Sequence, residues 1–293
     1  MSNGAKVVSV FAPSVADTSV GFGNQTGRVR TSLPCARRLL LHGVAPNARV
    51  DAPDPPTMPP APDSSPHDRL TDSWIANAAA WTRVVQAGGI PSRKAGTDAA
   101  ITAALARLPR GRVLDVGCGE GWLTRALAAQ GHEAIGIDAS PPLIDAARAT
   151  PHPAGLVGSA TYAVATYATL ATALHPLGGP FDAAVCNFAL LDDDLATPLV
   201  ALHTALRPGG TLLIQTVHPL TALAGAPYED GWREETFSAF AETFPASMPW
   251  YYRTLGSWLH AVLGAGFTLA SVDEPRAEAQ PLPLSLLITA TRR

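Results

Sequence analysis

The hydrophobic pattern divides the chain in two. Residues 1–50 show no sustained helical or strand period, and residues 51–66 hold seven prolines in sixteen positions, a composition that favours extended, solvated chain. From residue 67 on, short apolar runs alternate with helix-period stretches. Val113, Leu114 and Val116 suit a strand covered on both faces, with Asp115 interrupting the run near its carboxyl end. Gly117, Gly119 and Gly121 follow within five positions, then a helix over Leu123–Gln130 that Gly131 ends. Residues 132–138 read as a second strand closing on Asp138, and Ser140-Pro141-Pro142 starts the next helix. Further strands are expected at Thr161–Tyr167, from Phe181 to Asn187, up to Val217 behind Leu206-Arg207-Pro208-Gly209-Gly210, at Phe267–Val272 and at Leu284–Thr291. Ahead of the first strand, Ser73 is placed to cap a helix carrying Trp74, Asn77, Ala78 and Trp81 on one face.

The glycine spacing narrows the ligand. A strand, a glycine turn and a helix N-terminus bring backbone N–H groups close to a bound molecule. A dinucleotide-binding turn needs G-x-G-x-x-G or a small residue in sixth place. Here that place is Trp122, too large for close helix–strand packing. A carboxylate such as Asp115 at the end of the strand disfavours a pyrophosphate and suits a cationic ligand. An acid at the end of the second strand, Asp138, can accept two ribose hydroxyls.

The run Asp115-Val116-Gly117-Cys118-Gly119-Glu120-Gly121, with Asp138 seventeen residues later and the fourth- and fifth-strand motifs behind it, resembles the class I S-adenosylmethionine (SAM)-dependent methyltransferases, and among them the small-molecule, ubiquinone-biosynthesis-like type. The likeness covers about residues 111–217. It implies a Rossmann-like, doubly wound α/β sheet of seven strands in the order 3-2-1-4-5-7-6, the last antiparallel. It also implies a SAM site, with S-adenosyl-L-homocysteine as product. The residues it assigns to that site are Asp115, Gly117, Cys118, Gly119, Gly121, Trp122, Asp138, Ala139, Asn187 and Phe188. Many relatives carry an acid after the third strand; here Thr166 or Tyr167 stands there, and Thr166 is taken for the adenine contact. An arginine before the first strand often holds the SAM carboxylate, which points to Arg93. Asn187 is not followed by Pro-Pro, so the N-P-P-Y pattern of amino-group methylation on DNA bases and glutamine is missing.

The flanks are expected to recognise the acceptor. Residues 67–110 read as a helical lid and residues 111–293 as the catalytic domain, with an aromatic insertion at about 220–253. Trp81, Trp250, Tyr251, Tyr252 and Arg253 are the candidate substrate contacts. His218, just past the fifth strand, is the candidate base, with substrate hydrogen bonding as its alternative role; His175 is a weaker candidate.

Composition bounds the rest. A formal net charge of −3 announces no broad basic surface and weighs against nucleic acid as substrate. No apolar run reaches the roughly 18 residues of a membrane span. Three widely spaced cysteines suit a reduced, cytoplasmic protein and neither a disulfide framework nor zinc. No acidic cluster resembles the magnesium site of catechol-type enzymes, so no metal is expected. For residues 1–66 three accounts stand side by side: a disordered tail, a start assigned too early with Met58 nearer the true one, and an organellar transit peptide. Alanine-, proline- and arginine-rich usage typical of GC-rich bacterial genomes favours the first two. Transfer of a methyl group to an oxygen, nitrogen or carbon of a small molecule is the reading that follows. A macromolecular acceptor, or SAM binding without transfer, is the alternative.

Overall fold

The computed structural model describes residues 64–293 apart from 152–156, 175 and 279. Residues 1–63 of the expected tail, the alternative start at Met58 and His175 therefore lie outside the described residues, whereas Ser65 and Pro66 at the end of that tail cap and start the first helix. The elements run α1 (Pro66–Gln86), a single π-helical turn (Arg93–Thr97), α2 (Asp98–Leu105), β1 (Arg112–Val116), α3 (Trp122–Ala129), β2 (Glu133–Asp138), α4 (Pro141–Ala149), β3 (Ser159–Val164), α5 (Leu170–Ala173), β4 (Phe181–Asn187), α6 (Ala196–Ala205) and β5 (Leu206–Val217). There follow a short 3-10 turn (Thr221–Leu223), β6 (Gly231–Glu235), β7 (Met248–Tyr252), α7 (Leu255–Gly264), β8 (Phe267–Asp273) and β9 (Ser285–Arg292).

Seven strands form one sheet in the order β3-β2-β1-β4-β5-β9-β8, and β6 pairs with β7 in a separate hairpin. β1 to β5 are parallel, and β9 runs antiparallel to both β5 and β8. This is the expected Rossmann-like topology. Its first half follows from apolar strands covered on both faces. On one face Leu114, Val116, Ile135, Ile137 and Cys186 pack beneath α5, α6 and α7. On the other, Val113, Ala134, Ala183 and Val185 pack against α2 and α3 through Ile101, Leu105, Leu123 and Leu127. Strand alternation sends Asp115 to the same face as Val113, toward α3. There its Oδ2 accepts the Thr124 hydroxyl at 2.6 Å.

Three local expectations are corrected. The first helix is capped by Ser65, whose Oγ accepts the Asp68 N–H at 3.2 Å, with Pro66 in the first turn. Ser73 lies inside that helix and donates to the Leu70 carbonyl at 2.8 Å. The third strand stops at Val164, because Asp138, its last partner, ends β2; residues 165–167 are loop. The fifth strand already begins at Leu206, and the Pro208–Gly210 segment is absorbed as a register shift against β4 instead of a separate turn. The aromatic insertion forms the β6–β7 hairpin, which packs on α1 through Phe237, Met248, Trp250 and Tyr252. Among the described residues no helix is long and apolar enough to cross a membrane.

Candidate functional site

A cavity of about 210 Å³ opens at the carboxyl ends of β1, β2 and β4, beneath α1. Such sheets bind ligands at this end, where the strand order reverses on either side of β1.

Its floor is the glycine turn. Gly117, Gly119 and Gly121 have φ of 69°, 56° and 84°, the left-handed region that glycine enters without strain. The Gly117 and Cys118 N–H groups both donate to the Ile137 carbonyl, at 2.8 and 2.9 Å. The Gly119 N–H donates to Asp138 Oδ2 at 2.9 Å, and the Ser140 N–H to Asp138 Oδ1 at 2.9 Å. One carboxylate therefore ties the first turn to the second and still faces the cavity. Each of its oxygens keeps a lone pair for a ligand hydroxyl. Burial pushes the Asp138 carboxyl above its ordinary value, and the backbone N–H groups oppose that shift. A Cβ at Gly117 would lie 2.4 Å from that of Ala189, so this glycine is needed for packing of the β4 loop. A Cβ at Gly119 would instead point at the Trp81 indole, 3.7 Å away across the cavity mouth.

The β4 side carries Asn187 and Phe188, both lining the cavity. Asn187 Oδ1 is buried without a hydrogen-bond partner beside the cavity lining. Phe188 has φ of 54°, strained for a side chain of that size. Thr166 and Tyr167 line the next wall, and the Tyr167 hydroxyl donates to the Ala189 carbonyl. On the opposite side Arg93 sits on the π-helical turn. Its Nε donates to both carboxylate oxygens of Asp98, at 2.8 and 2.9 Å, and its guanidinium lies 3.9 Å from the centroid of Trp122. Among the described residues its terminal nitrogens have no partner, so they remain donors at the cavity wall.

The roof is aromatic. Trp74 and Trp81 of α1 meet edge to face at 5.3 Å and both line the cavity. His67, at the start of α1, pairs through Nδ1 with the carboxylate of Asp192, and both residues line the cavity.

Of the residues expected at the site, Gly117, Cys118, Gly119, Trp122, Asp138, Ala139, Arg93, Thr166, Asn187, Phe188 and Trp81 are brought together around this cavity. Asp115 and Gly121 support it from behind. Asp115 faces Thr124, and burial, with Asp138 nearby, lifts its carboxyl to about 7. A Cβ at Gly121 would lie 2.7 Å from the Tyr162 ring. Trp250, Tyr252 and Arg253 are buried away from the cavity, and Tyr251 is half-buried. These four border a separate space of about 10 Å³, room for one water. The reason is the hairpin: its aromatics close the core under α1, and Tyr252 donates its hydroxyl to the Pro219 carbonyl at 3.1 Å.

His218 is likewise displaced from the expected place. It is buried outside the cavity, with Nε2 2.8 Å from Glu274 Oε1 and Nδ1 accepting the Leu220 N–H at 3.2 Å. Both ring nitrogens are engaged, and burial lowers the basicity of the ring. It has no path to a substrate proton in this arrangement. Glu120, Trp74, His67 and Asp192 are among the cavity residues that sequence reasoning did not assign. Only Trp74 had a signal, its helical spacing from Trp81; Glu120 is held by Arg125 at 2.5 Å, and His67 and Asp192 meet across 125 residues. Among the described residues no group of three or more His, Cys, Asp or Glu could hold a metal ion.

Residues 113–210 match the family model described as a methyltransferase domain. A ubiquinone biosynthesis O-methyltransferase of Xanthomonas campestris pv. campestris (strain B100) is 38% identical over 133 residues, which is 43% of this chain and 53% of that protein. The chain thus spans about half the length of the curated relatives it matches. Magnesium protoporphyrin IX methyltransferase from Synechocystis PCC 6803, solved with bound S-adenosylhomocysteine, superposes with a TM-score of 0.53 at 20% identity, over 78% of this chain and 100% of that one. The 1,6-didemethyltoxoflavin-N1-methyltransferase of Burkholderia thailandensis does so with a TM-score of 0.50 at 21% identity, over 79% and 92%. These two structures share the fold with this chain.

Proposed function

We propose that the chain, whose residues 113–210 match a methyltransferase domain, is a class I SAM-dependent methyltransferase that binds SAM in the cavity above the glycine turn and transfers its methyl group to an oxygen, nitrogen or carbon of a small organic acceptor. The observation that carries this reading is Asp138: it binds two backbone N–H groups of adjoining turns and still faces the cavity with lone pairs to spare. A ribose diol suits that carboxylate. The open cradle at Gly119 and the unpartnered Asn187 Oδ1 leave space and an acceptor beside it. Thr166 would border the adenine. Arg93 would take the amino-acid carboxylate with its terminal nitrogens, since a guanidinium suits two carboxylate oxygens at once. Cys118, Trp122, Ala139 and Phe188 would complete the contacts. Bound there, SAM supplies a methyl group on a sulfonium, a strong electrophile.

The protein's part is to hold the nucleophile in line, exclude water and receive a proton. The aromatic edges of Trp74, Trp81 and Phe188 suit a planar organic acceptor, and the enclosing α1 limits its size. A small acceptor agrees with the name of one relative, a ubiquinone biosynthesis O-methyltransferase, and a protein of the same fold is a 1,6-didemethyltoxoflavin-N1-methyltransferase. The formal charge of −3 gives no footprint for nucleic acid. No metal enters this reading, and a cytoplasmic setting suits the two buried free cysteines.

Two measurements test it. Tritiated methyl groups from SAM should pass into the small-molecule fraction of a whole bacterial extract; binding of SAM without any transfer would leave only a SAM-binding protein, and label entering the RNA or protein fractions instead would move the acceptor to a macromolecule. Asp138→Ala should weaken SAM binding in calorimetry by roughly 2–4 kcal/mol, the worth of a pair of charge-assisted hydrogen bonds. Unchanged affinity would remove Asp138 from the site.

A further inference from the structure

We propose that His67 is the general base of this site and Asp192 the residue that orients it. The inference rests on the methyl-transfer reading above. His67 stands in the first turn of α1, and Asp192 on the segment between β4 and α6 that begins at Phe188, just after Asn187. Both line the cavity. The Asp192 side chain is only 3% exposed, whereas that of His67 is 54% exposed at the cavity rim.

The pairing decides the tautomer. An ionised carboxylate only accepts, so Nδ1 of His67 carries the proton that Asp192 Oδ2 receives. Nε2 of the neutral ring then holds a lone pair, and among the described residues it has no partner. A second anchor fixes the carboxylate: its Oδ1 accepts the Asp193 N–H at 2.8 Å. Arg253 donates to the Asp192 backbone carbonyl from behind. The titratable and charged groups around the pair are thus Asp68 on α1, Asp193 beside Asp192, Arg253 at the end of the hairpin and Tyr167 from the β3 loop. Burial pushes the Asp192 carboxyl upward and the proximity of His67 opposes it.

His218 supplies the contrast inside the same molecule. Its Nδ1 accepts a backbone N–H, which commits Nε2 to donating to Glu274. It is buried outside the cavity, so neither nitrogen can take a proton from an acceptor. His67 has the opposite wiring: the proton is on the side of the carboxylate and the lone pair is unengaged.

The step balances without a further reactant. The proton of an acceptor hydroxyl or amine moves to His67 Nε2. The acceptor's lone pair forms the new bond to the methyl carbon as the carbon–sulfur bond breaks and its electrons stay on sulfur. The imidazolium, held by the Asp192 carboxylate, then loses its proton to water at the exposed rim. The acceptor class this implies is a protic one, a phenol-type hydroxyl or an amine, and not a carbon nucleophile that is already ionised.

The test uses the full chain, tritiated SAM and a protein-free bacterial metabolite extract, across pH from about 6 to about 9. His67→Ala should lower transfer roughly 100-fold at neutral pH, the lower end for a general base, with SAM affinity by calorimetry and melting temperature nearly unchanged. Added imidazole should restore part of the rate in His67→Ala, which a structural role would not allow. Asp192→Asn should lower transfer while leaving SAM affinity nearly unchanged. Imidazole NMR of the same variant, without any turnover, should show loss of the strongly downfield His67 Nδ1 proton signal that a hydrogen bond to a carboxylate gives. Transfer within twofold of wild type in His67→Ala, or an unmoved His67 Nδ1 proton signal in Asp192→Asn, overturns the pair and leaves the donor-binding reading standing. A wild-type protein that binds SAM and labels nothing sinks the methyl-transfer reading, and this proposal with it.

Discussion

The floor and the roof of the cavity are held together by different kinds of contact. The floor is backbone: the glycine turn hangs from the Ile137 carbonyl and the Asp138 carboxylate, all within about one turn–helix–strand unit of sequence. The roof is side chain: α1 and the β6–β7 hairpin meet through Trp74, Trp81, Phe237, Phe240 and Phe244. Phe237 and Phe244 stack at 4.2 Å, and Asn77 of α1 bonds both ways to the Ala246 backbone, at 2.8 and 3.0 Å. Hydrogen bonds along a turn specify one geometry for whichever ligand shares it. Aromatic edges tolerate replacement and re-aiming, so the roof is where acceptor choice can differ between related proteins without disturbing the floor.

The largest effect should come from the roof's anchor. Phe237 is 2% exposed, and Phe237→Ala should cost roughly 3–5 kcal/mol, the range for emptying a large aromatic from a core. The loss should show as early proteolysis within α1 and the hairpin, with the sheet still folded by circular dichroism. Simultaneous melting of everything would mean that roof and floor form one cooperative unit. Next comes the floor. Gly117→Ala forces a side chain into φ of 69° and places its Cβ 2.4 Å from Ala189. Strain and overpacking together should cost about 2–4 kcal/mol. SAM affinity in calorimetry should collapse with it; an alanine tolerated at wild-type stability and affinity would show that the turn can rebuild.

The smallest effect separates the two acids of the floor. Asp115 has its carboxyl raised to about 7, chiefly by burial, from 3.8. A raised acid holds its proton more tightly in the folded state, so its contribution to stability is complete below pH 3.8 and is lost as pH rises through about 7. Asp115→Asn keeps an oxygen for the Thr124 hydroxyl and removes that titration. Its melting temperature should therefore fall less between pH 5 and pH 8 than that of the wild type, with SAM affinity little changed. An equal slope in both proteins would show that Asp115 does not titrate in this window. A large loss of SAM affinity would show that Asp115 reaches the ligand after all.

Legibility followed the same division. β1, its turn, α3, β2 and Asp138 were readable because their contacts lie within about twenty-five residues and rest on glycine conformations, caps and strand alternation. The orientation of Asp115 was also implicit in that alternation, since it shares a face with Val113. The aromatic insertion was recognised as a segment, but which of its rings would face a ligand was not. Trp250 and Tyr252 turned inward because α1 needed a covering core, and Trp74 and Trp81 took the cavity wall. His218 drew notice by its place after β5; a buried pocket beside Glu274 claimed it.

The sequence by itself determined β1, β2, the glycine turn between them and the carboxylate at Asp138. Each depends on residues near in the chain, where φ preference and alternating burial leave few alternatives. Only the tertiary structure decided which side chains would meet above them. His67 and Asp192 stand 125 residues apart, and Asn77 and Ala246 stand 169 apart. No local propensity couples such positions; their meeting follows from the way α1 and the hairpin share one apolar core over the carboxyl ends of the strands.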